Sequence, residues 1–123
     1  MPTTDDIRRC VMALPEVEET SHFKFKVPLW KVRGKTFLGM VKDETAAVFC
    51  VSEPEADEAA AADPGTYAAV RRLDSRRSFL GLQAQLSGIS ADRVTELAGR
   101  AWRQHAPKRL AAEHADIGAG RPG

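Results

Sequence analysis

The sequence is poor in cysteine and has no long hydrophobic segment. Its 123 residues include two cysteines, Cys10 and Cys50, which form no Cys-x-x-Cys pair and lie within apolar patterns. This usage excludes a disulfide scaffold and favours buried thiols. The apolar runs are far shorter than the roughly 20 residues that span a bilayer, and no basic start followed by an apolar stretch marks a secretory signal. We therefore expect a single cytoplasmic domain that does not contact a membrane.

Catalytic motifs are also missing. The three histidines lack metal-ligand spacing, and the chain has no Gly-x-Ser-x-Gly, no P-loop and no Gly-x-Gly-x-x-Gly. The acids Glu53, Glu55, Asp57 and Glu58 could offer paired carboxylates, but they crowd the first turns of a predicted helix, where the helix dipole favours them. We expect a protein that is not an enzyme and that has no metal site and no cofactor.

Acidic residues are absent from Thr20 to Lys42, a segment with six lysines and arginines. The next segment, Asp43 to Gly65, has seven acidic residues and no basic one. A formal net charge of +1 conceals this segregation. Because a basic block on a small domain is one signature of nucleic-acid binding, the segregation raises that possibility.

The basic block contains the clearest hairpin in the chain. Alternation predicts a first strand at His22–Val27, before a hairpin of Leu29–Arg33 and Thr36–Lys42. Gly34-Lys35 would form a two-residue type II′ turn between those two strands. This register places Val32 opposite Phe37, and Trp30 opposite Gly39, on one face.

The other elements follow from caps and periodicity. Apolar residues recur at helical spacing near both ends of the chain, and proline, glycine and serine mark the boundaries. The last helix carries a long apolar stripe that includes Trp102 and ends in His105, so we expect both side chains in the core. The predicted elements are a helix at Asp5–Ala13 capped by Thr4, an inner strand at Ala46–Val51, a helix at Glu53–Ala62, a strand at Ser78–Ala84 and a last helix between Ser90 and Pro107.

Several strings in this order resemble the YjbR/MmcQ family. They are Leu14-Pro15-Glu16-Val17-Glu18-Glu19, Trp30-Lys31-Val32-Arg33-Gly34-Lys35-Thr36-Phe37, Ala62-Asp63-Pro64-Gly65 with Tyr67, and Ala101-Trp102-Arg103 with Ala106-Pro107-Lys108-Arg109-Leu110. The resemblance covers about residues 4 to 111. We therefore assign residues 1–112 to one domain and predict that 113–123 is a disordered tail.

The resemblance implies an α+β fold in which a single antiparallel sheet of about five strands packs on N-terminal and C-terminal helices, in a frataxin-like arrangement. It also implies DNA binding, since the family is commonly described as a double-wing DNA-binding module. Fold analogy does not determine function. The chain departs from the family pattern at Phe79, where a tryptophan is expected.

The candidate nucleic-acid-binding residues are lysines and arginines, which neutralise phosphates. Double-stranded DNA is the predicted partner of a monomeric protein. The alternatives are a non-enzymatic module that binds an unknown protein partner, through an acidic helix beside a basic hairpin, and a small-ligand-binding module. Exposed lysines that only prevent edge pairing and keep the domain soluble would also explain the pattern. The candidate residues are Lys24, Lys26, Lys31, Arg33 and Lys35 in the basic block, and Arg71, Arg72, Arg76 and Arg77 in a second cluster.

Overall fold

A computed structural model of the chain describes residues 2–21, 26–41, 43–71, 78–114 and 117. Within these residues one six-stranded antiparallel sheet packs against helices, which confirms the α+β prediction with one strand more than expected. The elements are α1 (Thr4–Met12), β1 (Val17–Ser21), β2 (Pro28–Val32), β3 (Lys35–Met40), β4 (Ala46–Phe49), α2 (Glu53–Ala62), β5 (Tyr67–Arg71), β6 (Phe79–Gln85), α3 (Ala91–His105) and α4 (Lys108–Glu113), with a 3₁₀ turn at Leu86–Gly88.

The strand order in the sheet is β1-β2-β3-β4-β6-β5. Strand β4 lies between β3 and β6, as its apolar composition predicts, and three of its four residues are buried. Helix α3 packs on β3 and β4, α1 packs on α3, and α2 packs on β5 and β6. The hydrophobic core lies between this helical layer and the sheet.

Side-chain caps determine where the three longer helices begin. Ser52 and Ser90 accept hydrogen bonds from the backbone N–H groups of Glu55 and Arg93, which confirms the predicted starts of α2 and α3. Helix α1 begins one residue earlier than predicted. Its cap is Thr3, which forms a capping box with Asp6.

The predicted turn and register of the β2–β3 hairpin are wrong. The two turn residues are Arg33 and Gly34, both with positive φ (51° and 84°), a combination typical of a type I′ turn. Lys31 therefore pairs with Thr36, and a bulge follows. The bulge leaves Phe37 without a partner on β2, while its carbonyl oxygen accepts a hydrogen bond from the Cys50 N–H at 2.9 Å on the other side.

The bulge has a packing reason. Trp30 pairs with Leu38 rather than with Gly39, and Phe37 and Leu38 are both fully buried. Two successive large side chains can enter the core only where the alternation of the strand is interrupted, which a bulge does. Gly39 instead pairs with Leu29.

The first strand also differs from the prediction. Residues 22–25 of the predicted strand lie outside the described residues, and Lys26 and Val27 are not in a strand. The observed strand, β1, is Val17–Ser21, where Glu18 lies opposite Lys31 of β2. Glutamate has low strand propensity, so cross-strand pairing with a lysine-bearing neighbour outweighs the local preference here.

Both tryptophans belong to the core, as predicted. Trp30 and Trp102 have no exposed surface. The Trp102 indole N–H donates to the Pro15 carbonyl oxygen at 3.0 Å, and the Trp30 indole N–H donates to the Glu19 carboxylate at 3.0 Å. These hydrogen bonds satisfy the polar atoms that burial would otherwise leave unpaired.

Candidate nucleic-acid interface

Two hairpins turn at the same end of the sheet. β2 passes into β3 through Arg33 and Gly34, and β5 ends at Arg71, which pairs with Phe79 at the start of β6. We call this end the hairpin end, and the opposite end, where β3 turns into β4, the far end. The two hairpins are separated by three strand spacings of roughly 4.8 Å each, or about 14 Å.

The β2–β3 hairpin presents three of the predicted cations at the hairpin end. Lys35 and Arg33 are exposed, and Lys31 is half-buried one residue before Val32. The Arg33 guanidinium donates to the Glu16 carboxylate at 2.7 Å. One of the three cations is therefore already paired with a carboxylate, and Lys31 lies in register opposite Glu18.

Arg71 is the last residue of β5 and lies in the second hairpin. Its guanidinium forms an ion pair with Glu53, the first residue of α2, and lies 5.8 Å from the centroid of the Phe79 ring. The residue that departs from the family pattern thus takes part in a cation–π contact with a candidate phosphate ligand. Like Arg33, Arg71 is held by one glutamate at the hairpin end.

The remaining candidates do not all lie at this end. Lys26 is exposed and precedes β2, so the structure places it at the far end, about one strand length from Lys31. Lys24, Arg72, Arg76 and Arg77 lie outside the described residues. The three arginines belong to the segment 72–77, which connects Arg71 to Ser78.

The C-terminal end of α3 adds cations that the sequence reasoning missed. His105 closes α3 at the hairpin end, where its Nε2 lies 3.0 Å from the Cys50 carbonyl oxygen. Exposed Lys108 and Arg109 follow within four residues, at the start of α4. The sequence contained these cations, but only the docking of α3 against β4 brings them to the hairpin end.

His105 itself contributes no positive charge at neutral pH. Burial lowers its pKa, and the hydrogen bond to Cys50 opposes that shift, whereas the nearby positive charge of Lys35 adds to it. A carbonyl oxygen can only accept a hydrogen bond, so Nε2 of the neutral ring carries the proton. The half-buried position confirms the predicted core histidine.

The far end is acidic. The first turn of α1, the β3–β4 turn, the end of α2 and the first turn of α3 all meet there, and Thr4 of α1 donates to Glu44 of the turn at 2.7 Å. The segregation of charge along the sequence thus becomes only in part a separation between two ends of the fold, since Lys26 lies at the far end and Glu53 at the hairpin end. Asp5 and Asp6 are paired with Arg8 and Arg9. The far-end acids are Asp5, Asp6, Asp43, Glu44, Asp63 and Asp92.

Two other classes of site are absent from the described ranges. These residues contain no group of three or more histidine, cysteine, aspartate or glutamate side chains that could hold a metal ion. No helix among them has the length and apolar character that crossing a membrane requires.

These features define an α+β domain with two hairpins and a basic end. A family model described as YjbR matches residues 12–104, which is most of the chain. The protein belongs to the YjbR family, which confirms the family predicted from the four sequence strings.

A solved structure gives the same fold. This is the crystal structure of the Deinococcus radiodurans protein DR2400, which has a domain of the family DUF419. It superposes on the present structure with a TM-score of 0.73. The two chains are 21% identical, and the alignment covers 94% of this chain and 89% of that one. At this identity the likeness shows the fold alone. No curated protein sequence matches the chain.

Proposed function

We propose that the protein is a non-enzymatic, cytoplasmic DNA-binding protein that contacts duplex phosphates through its hairpin end. The observation that supports this proposal is the position of Arg33 and Lys35 on one hairpin, and of Arg71 on the other, at the same end of one sheet. The connection that contains Arg72, Arg76 and Arg77 begins and ends at this second hairpin.

The spacing of the hairpins suits a duplex. Their separation of about 14 Å is comparable with the roughly 12 Å width of the B-DNA major groove. Cations at that separation, Arg33 and Lys35 on one hairpin and Arg71 on the other, can approach phosphates on both sides of one groove. The acidic far end would orient the domain, because duplex phosphates repel it and attract the hairpin end.

A salt-dependent titration tests the proposal. A short duplex added to isotopically labelled protein at low salt should shift the backbone amide signals of Arg33, Gly34 and Lys35, and leave those of Asp43 and Glu44 unchanged. The association constant should fall linearly with salt on logarithmic axes, because cation release accompanies phosphate neutralisation. Absence of hairpin shifts at the lowest salt would contradict DNA binding.

The same charge separation supports one alternative. The basic hairpin end of one molecule could contact the acidic far end of another, in a head-to-tail association without nucleic acid. Sedimentation of nuclease-treated protein distinguishes the two functions. A mass that rises with protein concentration at low salt, together with no response to duplex, favours self-association over DNA binding.

The glutamates at the hairpin end allow a second prediction. Glu16 forms an ion pair with Arg33, and Glu53 forms one with Arg71. Because we propose that both arginines contact phosphate, the two carboxylates compete with DNA for them. The double variant Glu16→Gln/Glu53→Gln should bind duplex about 3- to 10-fold more tightly, since each exposed ion pair contributes up to about 1 kcal/mol. Fluorescence anisotropy with a labelled duplex measures the change.

A far-end double variant, Glu44→Gln/Asp63→Asn, is the matched control because it changes the net charge equally. It should raise affinity much less than the hairpin-end variant does. Equal gains from the two variants would show that net charge alone governs binding and that Arg33 and Arg71 do not contact the duplex.

A further inference from the structure

Strand β5 is an edge of the sheet, and among the described residues no strand pairs with its outer side. The Gln85 N–H donates to the Thr66 carbonyl oxygen at 2.9 Å, so the backbone of Thr66 faces β6. Because backbone groups alternate in direction along an antiparallel strand, Ala69 directs its N–H and its carbonyl oxygen away from β6. Helix α2 contacts β6 as well as β5, which places it over the face of the sheet rather than along this edge. The edge therefore presents backbone donors and acceptors to a further strand.

The two edges of the sheet differ in their protection against such pairing. On the other edge strand, β1, Glu19 lies in register with the fully buried Trp30 and points to the same helix-covered face, where it pairs with Arg8. Inward-pointing charges of this kind protect an edge strand from pairing with another chain. Strand β5, by contrast, contains no acidic residue, no proline and no lysine between Tyr67 and Arg71. The β5 edge lacks the protection that β1 has.

A second copy of β5 fits this edge in one register. The Tyr67 N–H already donates to the Asp63 carbonyl oxygen at 3.0 Å, so antiparallel pairing centred on Tyr67 would lack its central donors. Pairing centred on Ala69 lets the two alanines exchange both of their hydrogen bonds. It also sets the exposed Ala68 of each copy opposite the half-buried Val70 of the other, which removes apolar surface from water.

Charges at the ends of α2 favour the same register. The last turn of α2 has no basic residue and is followed by Asp63, so the negative end of its dipole is uncompensated. In the register centred on Ala69, Arg71 of one copy lies opposite Tyr67 of the other, beside that helix end. Exposed Asp57 and Glu58 oppose the approach of the two α2 helices, but salt screens this repulsion. The association should therefore persist or tighten as salt rises.

We propose that the protein forms a twofold dimer in which two β5 strands pair antiparallel about Ala69 and join the two sheets into one. This dimer replaces the monomer expected from the sequence, and it does not depend on DNA binding. The pairing shares Arg71 with the proposed DNA surface but leaves Arg33 and Lys35 outside the contact. Because the strands are antiparallel, the two hairpin ends point in opposite directions.

Sedimentation equilibrium of the nuclease-treated full chain at high salt tests the proposal. The mass should rise with protein concentration from that of a monomer to that of a dimer and stop there, because a twofold interface is closed. High salt weakens a head-to-tail association, which depends on charge, but not the pairing of backbone groups and apolar side chains. A monomer mass throughout the concentration series, or a mass that passes beyond the dimer, would overturn the proposal.

A pair of lysine variants locates the interface. Ala68→Lys on β5 and Thr20→Lys on β1 place the same side chain at an exposed position of an edge strand, on the face without helices. Ala68→Lys should raise the dissociation constant of the dimer by about 3- to 30-fold, because it puts a charge into both Ala68–Val70 contacts. Thr20→Lys should leave the constant unchanged. Equal effects of the two variants would refute pairing through β5.

A proline variant tests the backbone hydrogen bonds themselves. Ala69→Pro removes the central N–H, and an edge strand tolerates proline where that group faces solvent. The dissociation constant should rise about tenfold or more, since both exchanged hydrogen bonds are lost. Lys35→Gln, which weakens a head-to-tail contact, should leave the dimer intact. A dimer that survives Ala69→Pro, or that is lost in Lys35→Gln, would contradict the proposal, and the lysine pair stays decisive if the proline variant folds poorly.

Discussion

Replacing Lys31, Arg33 and Lys35 together by glutamine is expected to weaken duplex DNA binding by about 10- to 100-fold at low salt. Three contacts of up to about 1 kcal/mol each, two from exposed side chains and one from the half-buried Lys31, account for this range. The plot of log association constant against log salt concentration should also become less steep. Its slope should fall by roughly 2 to 3, because each lost phosphate contact lowers the slope by about 0.9. Anisotropy titrations at several salt concentrations measure both quantities.

The chain offers a matched pair of single variants for this prediction. Lys35 and Lys26 are both exposed lysines, but the first lies at the hairpin end and the second at the far end. Lys35→Gln should lower affinity several-fold, at one contact of up to about 1 kcal/mol, and Lys26→Gln should leave it nearly unchanged. Equal losses from both would mean that binding depends on overall charge, and an unaffected triple variant would exclude the β2–β3 hairpin as the contact surface.

The second large effect concerns stability. Trp102→Ala should lower the free energy of unfolding by about 3 to 5 kcal/mol, because it leaves a cavity where a fully buried indole packed. It also removes the donor to the Pro15 carbonyl oxygen, and with it a contact between residues 87 positions apart in the chain. This loss is a large fraction of the roughly 5 to 15 kcal/mol that stabilises a domain of ordinary size. Urea denaturation followed by circular dichroism measures it.

The conservative variant Trp102→Phe separates the two contributions. It keeps most of the ring volume and loses the hydrogen bond, so it should cost about 1 to 3 kcal/mol. Neither variant removes a cation at the hairpin end, so the folded fraction of each should bind DNA as the wild type does. A cost below about 1 kcal/mol for Trp102→Ala would show that Trp102 is not a core residue.

Features determined by nearby residues were predictable. Helix α2 begins and ends as predicted, since Ser52 caps it and Pro54 is favoured in its first turn. Helix α3 follows from Ser90 and from an apolar stripe at helical spacing. Such signals act over three or four residues, and so they can be read directly from the chain.

Strand pairing was predicted less well. The glycine at position 34 indicates a two-residue turn, but a type II′ turn at Gly34-Lys35 and a type I′ turn at Arg33-Gly34 use the same residue. The choice between them depends on burying both Phe37 and Leu38, which requires a bulge and a core to receive both side chains. No local pattern contains that information.

The candidate interface also combines features that the sequence determines with features that only the tertiary structure determines. The sequence by itself determined the family, the α+β class, the longer helices and the segregation of basic from acidic residues. Only the tertiary structure decided that Lys26 lies at the far end, that Glu16 and Glu53 occupy Arg33 and Arg71, and that β5 is an edge of the sheet. The physical reason is the distance along the chain between the residues that interact. Caps and periodicity depend on neighbours a few residues apart, whereas these ion pairs join residues 17 or 18 positions apart. Strand register depends on the packing of the whole core.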